Sequence, residues 1–327
     1  MKTEISCPAC LQIITDGPIE TWTASDAADH FVAPSRNANR NQRLIRVLEH
    51  LWVGKACEVY ECPTCGFGFG WPHRSGGADF YKISHEQAGY PTSRWEYSIA
   101  ANRASEVFPT GGMALDVGAG FGNFAKFLPR GWRFHAVEST PFMRSALQAR
   151  GHRTFDTLDE AADAAPNSFS LIVLFQVIEH VAEFDAMLST LRRLAAPGAL
   201  LVISTPYGPD LPARFLATKC PDMPPNHINR WTSQALGKAV ARAGFRLEVC
   251  KVQPAQVKNI LYSAYLRTVS DAAHNRNSLA GFWYRIQDKR VRMFVAPFVG
   301  LVQLAKMLPQ LRRATLSVNM LAYCRAV

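Results

Sequence analysis

Negative charge is nearly absent from the last quarter of this chain. Residues 251–327 hold twelve Lys/Arg and only two acids, Asp271 and Asp288, a net charge of +10, whereas residues 1–250 hold 24 of each sign. The excess is therefore local, which excludes a generally basic protein and predicts an anionic partner for that one segment. Long apolar runs are missing too. The longest uncharged stretch of the basic segment, 293–305, has 13 residues, too few for a membrane span of ~20. The N-terminus, "MKTEISCPAC", has no apolar h-region, so no standard signal peptide is expected and the setting is read as cytoplasmic. Low-complexity tracts and internal repeats are also lacking. Eight cysteines without a secretory signal predict reduced thiols or metal ligands rather than a disulfide framework.

Four of those cysteines form two Cys-x-x-Cys pairs, Cys7/Cys10 in "CPAC" and Cys62/Cys65 in "CPTCGFGF". The second pair, followed by glycine and an aromatic, suits a zinc knuckle whose backbone N–H groups turn toward sulfur. A shell of four thiolates leaves no open position, so the expected role of this Zn2+ is structural. One helix is expected between the pairs, at 41–51, then a Pro/Gly-rich linker over 71–91. Cys57, Cys220, Cys250 and Cys324 have no pairing logic.

From residue 92 the pattern changes. A helix over 92–108 stops at Pro109. Strand-like and helix-like segments then alternate: strands near 113–118, 133–139, 170–177, 198–205 and 245–252, with helices expected at 122–129, 141–151, 184–195 and 233–245. This alternation predicts an α/β, Rossmann-like doubly wound, mostly parallel sheet, and a last strand is expected at the very C-terminus. The first strand breaks into "DVGAGFG". Gly118, Gly120 and Gly122 allow close backbone approach at the carboxyl end of the sheet. Glu138 ends the next strand, where a carboxylate accepts ribose hydroxyls. A dinucleotide fingerprint would place its third glycine at 123, which is Asn123. Asp116, two residues before the first glycine, would repel a pyrophosphate but suits a ligand carrying an ammonium and a sulfonium. The turn is built for S-adenosyl-L-methionine (SAM).

"LDVGAGFGNFAKFL", "AVEST", "FQVIEHV", "APGALLVISTP" and "PPNHINRWTSQALGKAVARAGF", in this order, resemble the class I SAM-dependent methyltransferases of the small-molecule type. Within them the sequence is similar to bacterial sugar and glycan methyltransferases with an N-terminal zinc-binding segment. The resemblance covers residues 1 to about 260. It implies a seven-stranded sheet and a transferase that methylates an oxygen or carbon of a small-molecule, sugar or lipid-linked acceptor. It implies further that Asp116, Gly118, Ala119, Gly120 and Gly122 hold the methionine part, Glu138 the ribose, and Asp156, Thr157 and Leu158 flank adenine. Gln176 belongs with this cofactor set, at a position where some relatives carry an acidic metal ligand.

An oxygen acceptor needs a base. His227, in the proline-stiffened loop "PPNHINRW", is the first candidate, with His180 and Glu179 next. The alternatives are a loop histidine capping the next helix and a Glu-His pair serving a helix N-terminus. No Asn/Asp-Pro-Pro-aromatic motif of the amine-methylating kind follows the fourth strand, which favours oxygen or carbon over nucleobase nitrogen.

The expected organisation is a zinc-binding segment 1–90, a SAM-binding core 91–260, a basic amphipathic helical insertion 261–313 and a last core strand 314–327. Within 282–313, Pro297 and Pro309 are expected to divide the insertion into short helices. Aromatics and arginines there suit a helix lying on an anionic membrane surface, with an oligomer interface, a cap over the pocket and RNA contact as rivals. Nucleic acid is not expected, since no recognised RNA-binding module accompanies the charge. An RNA methyltransferase and an inactive SAM-binding, zinc-organised assembly protein are the alternative functions.

Overall fold

The structure is a computed structural model that describes residues 4–53, 56–84, 92–218, 222–254, 256–275, 277–311 and 319–327. The expectations for 85–91 and 312–318 lie outside the described residues. The N-terminal part runs β1 (Ile5–Ser6), β2 (Ile13–Ile14), β3 (Glu20–Thr23), α1 (Ala24–Phe31), α2 (Ala38–Leu51), β4 (Ala56–Glu61), β5 (Gly68–Trp71) and α3 (Ala78–Ser84). Local chemistry explains these ends. Thr23 and Asp26 form a reciprocal capping box on α1, and the Asn37 side chain accepts from Arg40 N to open α2. The stretch expected as linker contains a helix, α3, whose Phe80 and Ile83 are buried. Glycine and proline flank that short apolar run, and tertiary burial rather than periodicity makes it helical.

The second part begins with α4 (Trp95–Val107), then β6 (Gly112–Val117), β7 (Trp132–Val137), α5 (Pro141–Gln148), β8 (Arg153–Phe155), α6 (Leu158–Ala164), β9 (Phe169–Phe175), α7 (Phe184–Leu194) and β10 (Ala195–Pro206). It continues with α8 (Leu211–Thr218), β11 (Asn229–Arg230), α9 (Ser233–Arg242), β12 (Phe245–Val252), α10 (Val257–His274), α11 (Leu279–Tyr284), α12 (Lys289–Leu311) and β13 (Asn319–Ala326). The chain folds into a Rossmann-like α/β structure around a seven-stranded sheet of order β12-β13-β10-β9-β6-β7-β8. β10, β9, β6, β7 and β8 pair in parallel, while β13 runs antiparallel to both β10 and β12. The strand order reverses between β6 and β9, so their carboxyl ends flank the crevice where such sheets bind ligands. β9, with six of its seven residues buried, fits a parallel strand covered on both faces.

Two details of the sequence reading change. The helix expected over 122–129 is a tight 3-10 turn, Asn123–Phe127. Pro297 and Pro309 do not divide the basic segment: both lie inside the single 23-residue α12. Each proline removes one backbone N–H but keeps a helical φ, and burial of Val299, Gln303 and Met307 on one side holds the helix across the first of them.

The N-terminal part is not a separate bead. β11, which comes from the loop after β10, pairs with β5 and completes a four-stranded sheet β11-β5-β4-β3. One apolar cluster runs from Cys7, Cys62, Phe67 and Phe69 through Phe184 and Trp231 to the main sheet.

Candidate active site and cysteine cluster

The turn after β6 rests on left-handed backbone. Gly118, Gly120 and Gly122 have φ of 71°, 55° and 66°, which side chains adopt only at a cost. Space is also closed there. A Cβ on Gly122 would stand 2.4 Å from Leu147 Cδ2, and one on Gly118 2.8 Å from Val177 Cγ2. The second contact shows that the glycine turn abuts the turn following β9, where Glu179 and His180 sit.

Glu138 closes the turn from the other side. Its Oε2 accepts from Gly120 N at 2.8 Å and its Oε1 from Thr140 N at 2.8 Å. Asp116 is buried at the end of β6, and its carboxyl is held well above the usual range, first by burial and then by Glu138, with Arg94 countering. Such a carboxylate fits a cationic ligand, whose charge would restore its ionised form. Asp156, Thr157 and Leu158 open α6. Thr157 caps it by accepting from Glu160 N, Asp156 accepts from Arg144 Nη1 at 2.5 Å, and Leu158 packs on the main core. Ala119 N donates to Val137 O at 3.3 Å.

Gln176, at φ 60°, donates from its backbone N to Ser204 O and from Nε2 to Ser204 Oγ; Ser204 Oγ in turn donates to the buried Glu96. β9 then ends, and residues Ile178–His180 form a 3-10 turn rather than continuing the strand. That turn lets both neighbours face inward, with His180 Nε2 4.0 Å from Glu179 Oε1. The Asn229 side chain holds the turn in place by donating to Ile178 O at 3.0 Å and Val181 O at 2.7 Å. Glu179 is fully buried with neither carboxylate oxygen hydrogen-bonded among the described residues. Burial pushes its carboxyl up to about 7, against the opposing charge of His227.

His227 reaches the same place from the loop before β11. Its ring stands 4.7 Å from that of His180, and its Nδ1 abuts Asp222 Oδ1. Burial opposes a charged imidazole here, yet the Asp222 carboxylate outweighs it and raises the His227 pKa above the ordinary 6.5. Arg230 steadies this loop, pairing with both oxygens of Glu20 at 2.9 and 2.8 Å while donating to Asp222 O at 2.8 Å. His180 Nδ1 lies 2.5 Å from Asn226 O. A carbonyl only accepts, so Nδ1 carries the proton and the unprotonated nitrogen is Nε2, on the side of Glu179. Tyr81 Oη, from α3, stands 3.2 Å from that same Nδ1. Burial and Glu179 raise the Tyr81 pKa, which keeps the phenol protonated.

Sequence reasoning named His227, His180 and Glu179 but missed Asp222 and Tyr81. Asp222 lies five residues before His227 with paired prolines between, and that spacing had been the available signal. Tyr81 had none, because it arrives from the N-terminal part. Ligand atoms of Glu179, His180 and His227 lie within 4.8 Å of one another, so the cluster offers either a base or a cation cradle.

The second cluster is Cys7, Cys10, Cys62 and Cys65, whose sulfurs also lie within 4.8 Å of one another. Cys7 and Cys65 are 3.7 Å apart and Cys10 and Cys62 3.6 Å. A tetrahedron with metal–sulfur bonds of about 2.3 Å has edges of about 3.8 Å, so the spacing fits a four-thiolate site. Leu11 and Gly66, each just after the second cysteine of its pair, have φ of 65° and 66°. Burial raises the Cys65 thiol to about 12, whereas at Cys62 the backbone N–H groups of Cys65 and Thr64 outweigh burial and lower the pKa. The cluster is clamped to the core: Thr232 Oγ1 donates to Cys65 O at 2.6 Å, and Arg242 reaches Pro8 O at 3.0 Å, Ala9 O and Asp185.

Residues 94–249 match the family model of a methyltransferase domain. That segment holds the glycine turn, Glu138, Glu179, His180 and His227, and the match supports methyl transfer as its chemistry. No curated protein matches the chain. Solved structures similar to it include phosphoethanolamine N-methyltransferase 2 from Haemonchus contortus in complex with SAM, at 16% identity and a TM-score of 0.43, covering 71% of this chain and 52% of that one. A cyclopropane synthase from Mycobacterium tuberculosis has 12% identity and a TM-score of 0.41, covering 69% and 83%. A SAM-dependent methyltransferase from Mesorhizobium loti has 14% identity and a TM-score of 0.41, covering 68% and 96%. At these values they bear on neither acceptor nor mechanism.

Proposed function

We propose that this protein is a SAM-dependent methyltransferase acting on an oxygen or carbon of a sugar, glycan or lipid-linked small molecule, with His227 as general base. The observation that carries this reading is the glycine turn with its buried Asp116 and Glu138, set against a turn that brings His180 and His227 rings to 4.7 Å. Bound SAM would supply an electrophilic methyl group on a sulfonium. Asp116 would face the charged methionine part and Glu138 the ribose, with Ala119, Gly120 and Gly122 lining the approach and Asp156, Thr157, Leu158 and Gln176 at its edges. Asp222 fixes Nδ1 of His227, leaving Nε2 to take the acceptor proton as the acceptor oxygen attacks. His180 and Tyr81 would orient the acceptor. Cys7, Cys10, Cys62 and Cys65 would hold a structural Zn2+ with no part in the reaction.

The reading extends to location. No described helix is long and apolar enough to cross a membrane. On α12, Phe294, Phe298 and Leu301 are 87%, 60% and 64% exposed and, at i, i+4 and i+7, share one face with Arg290. An apolar stripe in a segment of net charge +10 supports attachment to an anionic membrane surface.

Calorimetric titration with SAM tests the core of this proposal. Micromolar binding by the purified protein, weakened at least tenfold in Glu138→Ala, is expected. A folded protein that binds neither SAM nor its demethylated product overturns it.

A further inference from the structure

The turn that carries Glu179 and His180 is held from the four-stranded sheet. Asn229 of β11 is 2% exposed, and the two hydrogens of its Nδ2 go to Ile178 O and Val181 O at 3.0 and 2.7 Å. Its Oδ1 lies 2.8 Å from His73 Nε2, just past β5. An amide oxygen only accepts, so His73 carries its proton on Nε2. Burial holds the His73 pKa below the ordinary 6.5, which keeps that ring neutral. A second tie lies beside the first: Ala182 N donates to Ser75 Oγ at 2.7 Å.

The same sheet seats the loop of His227. β5 pairs with β11 through Phe69 and Asn229, and Gly70 N donates to Ile228 O at 3.0 Å. That close approach needs glycine. A Cβ on Gly70 would stand 2.7 Å from Ile228 Cδ1 and 2.8 Å from Pro224 Cγ. β5 in turn springs from the cysteine cluster. Cys62 N donates to Phe67 O at 2.9 Å, and Thr232, two residues after β11, donates to Cys65 O at 2.6 Å. The glycine turn is anchored elsewhere. Gly118 N and Ala119 N donate to Val137 O, Gly120 N to Glu138 and Gly122 N to Ala119 O, all within residues 118–138.

We propose that His73 and Asn229 are positioning residues that hand the geometry of the cysteine cluster to His180 and His227. The metal state of the four cysteines then sets the acceptor half of the site and leaves the cofactor half unchanged. Paired strands and a chain of hydrogen bonds are the physical means of such coupling. The words acceptor and cofactor rest on the methyltransferase reading, whereas the link itself does not.

Its test is the histidine ring spectrum of the full-length, zinc-loaded protein by nuclear magnetic resonance at one fixed pH, with SAM titrations in parallel. Asn229→Leu leaves two carbonyls without their donor and is expected to displace the His180 and His227 ring signals. His73→Leu should displace them too, whereas His73→Gln, which keeps an N–H at that place, should leave them where they are. Stripping the metal with a chelator should displace the same signals in the wild-type protein. Throughout, SAM affinity and the amide signals of the glycine turn are expected to keep their wild-type values. Ring signals unmoved in folded Asn229→Leu, in His73→Leu or on metal removal overturn the proposal. So does a tenfold fall in SAM affinity alongside the displacement, or a chain that takes up no metal at its cysteines. Should Asn229→Leu not fold, the His73 pair and metal removal decide the matter. Wild-type protein that binds no SAM removes the methyltransferase reading and leaves the ring signals to judge the link.

Discussion

A histidine against a carboxylate holds its proton more tightly than a free one, and His227 against Asp222 is in that position. A base must be neutral to accept a proton, so activity is lost as pH falls through the raised His227 pKa. The acid limb of the pH–rate profile is therefore expected above 6.5, and Asp222→Asn is expected to move it to lower pH and lower the plateau. His227→Ala should cost roughly 10²–10⁴ in kcat, the usual worth of a general base, with SAM affinity intact. A profile unmoved by Asp222→Asn would show that the pair does not set the ionisation. Glu138 acts at this scale too. Both of its oxygens already accept backbone N–H groups, so Glu138→Gln separates ligand binding from turn geometry.

At the scale of elements, turns do the positioning. The glycine turn tolerates no added side chain: with a Cβ at 2.4 Å from Leu147 and φ at 66°, Gly122→Ala is expected to lower stability by roughly 1–3 kcal/mol and weaken SAM binding. Melting and titration together check this, and wild-type values in both would refute the closeness of the turn to α5. The cysteine cluster is a pair of turns held by four sulfurs. One Zn2+ per chain is expected by elemental analysis, and Cys62→Ser should lose it. Because Thr232 and Arg242 tie the cluster to α9, metal loss should also expose the N-terminal part to protease. Protein purified without chelator yet free of metal would rule the zinc out.

The whole molecule has a lopsided charge, balanced through residue 250 and +10 beyond it. Charge placed beside an exposed apolar stripe should act on a charged apolar phase. Sedimentation with phosphatidylglycerol vesicles is expected to carry the protein down, neutral phosphatidylcholine vesicles to leave it in solution, and added salt to weaken the effect. Serine at 294, 298 and 301 together should abolish sedimentation without changing SAM binding. Concentration-dependent dimerisation lost in the same variant, with no vesicle binding, would assign the stripe to a second copy of the chain.

Local chemistry by itself determined a good deal here. Apolar runs of strand length alternating with amphipathic segments specify a parallel sheet, because only buried strands read as continuous apolar runs and only crossover helices connect them. The glycines, Asp116 and Glu138 were legible because they sit at fixed offsets from strand ends, and the cysteines because two residues separate each pair. Sequence distance hid the rest. Tyr81 meets His180 across 99 residues, and the loop carrying Asp222 and His227 is brought to the same place by the pairing of β11 with β5, contacts that no local periodicity encodes. A cavity of about 460 Å³ between α1–α2 and α10 likewise joins residues near 36 to residues near 274. Two prolines predicted a break in α12, and burial of one face overruled them. What a short window of side chains can decide, the sequence decided; which distant groups share a site depends on how the sheet closes around them, and that only the tertiary structure could settle.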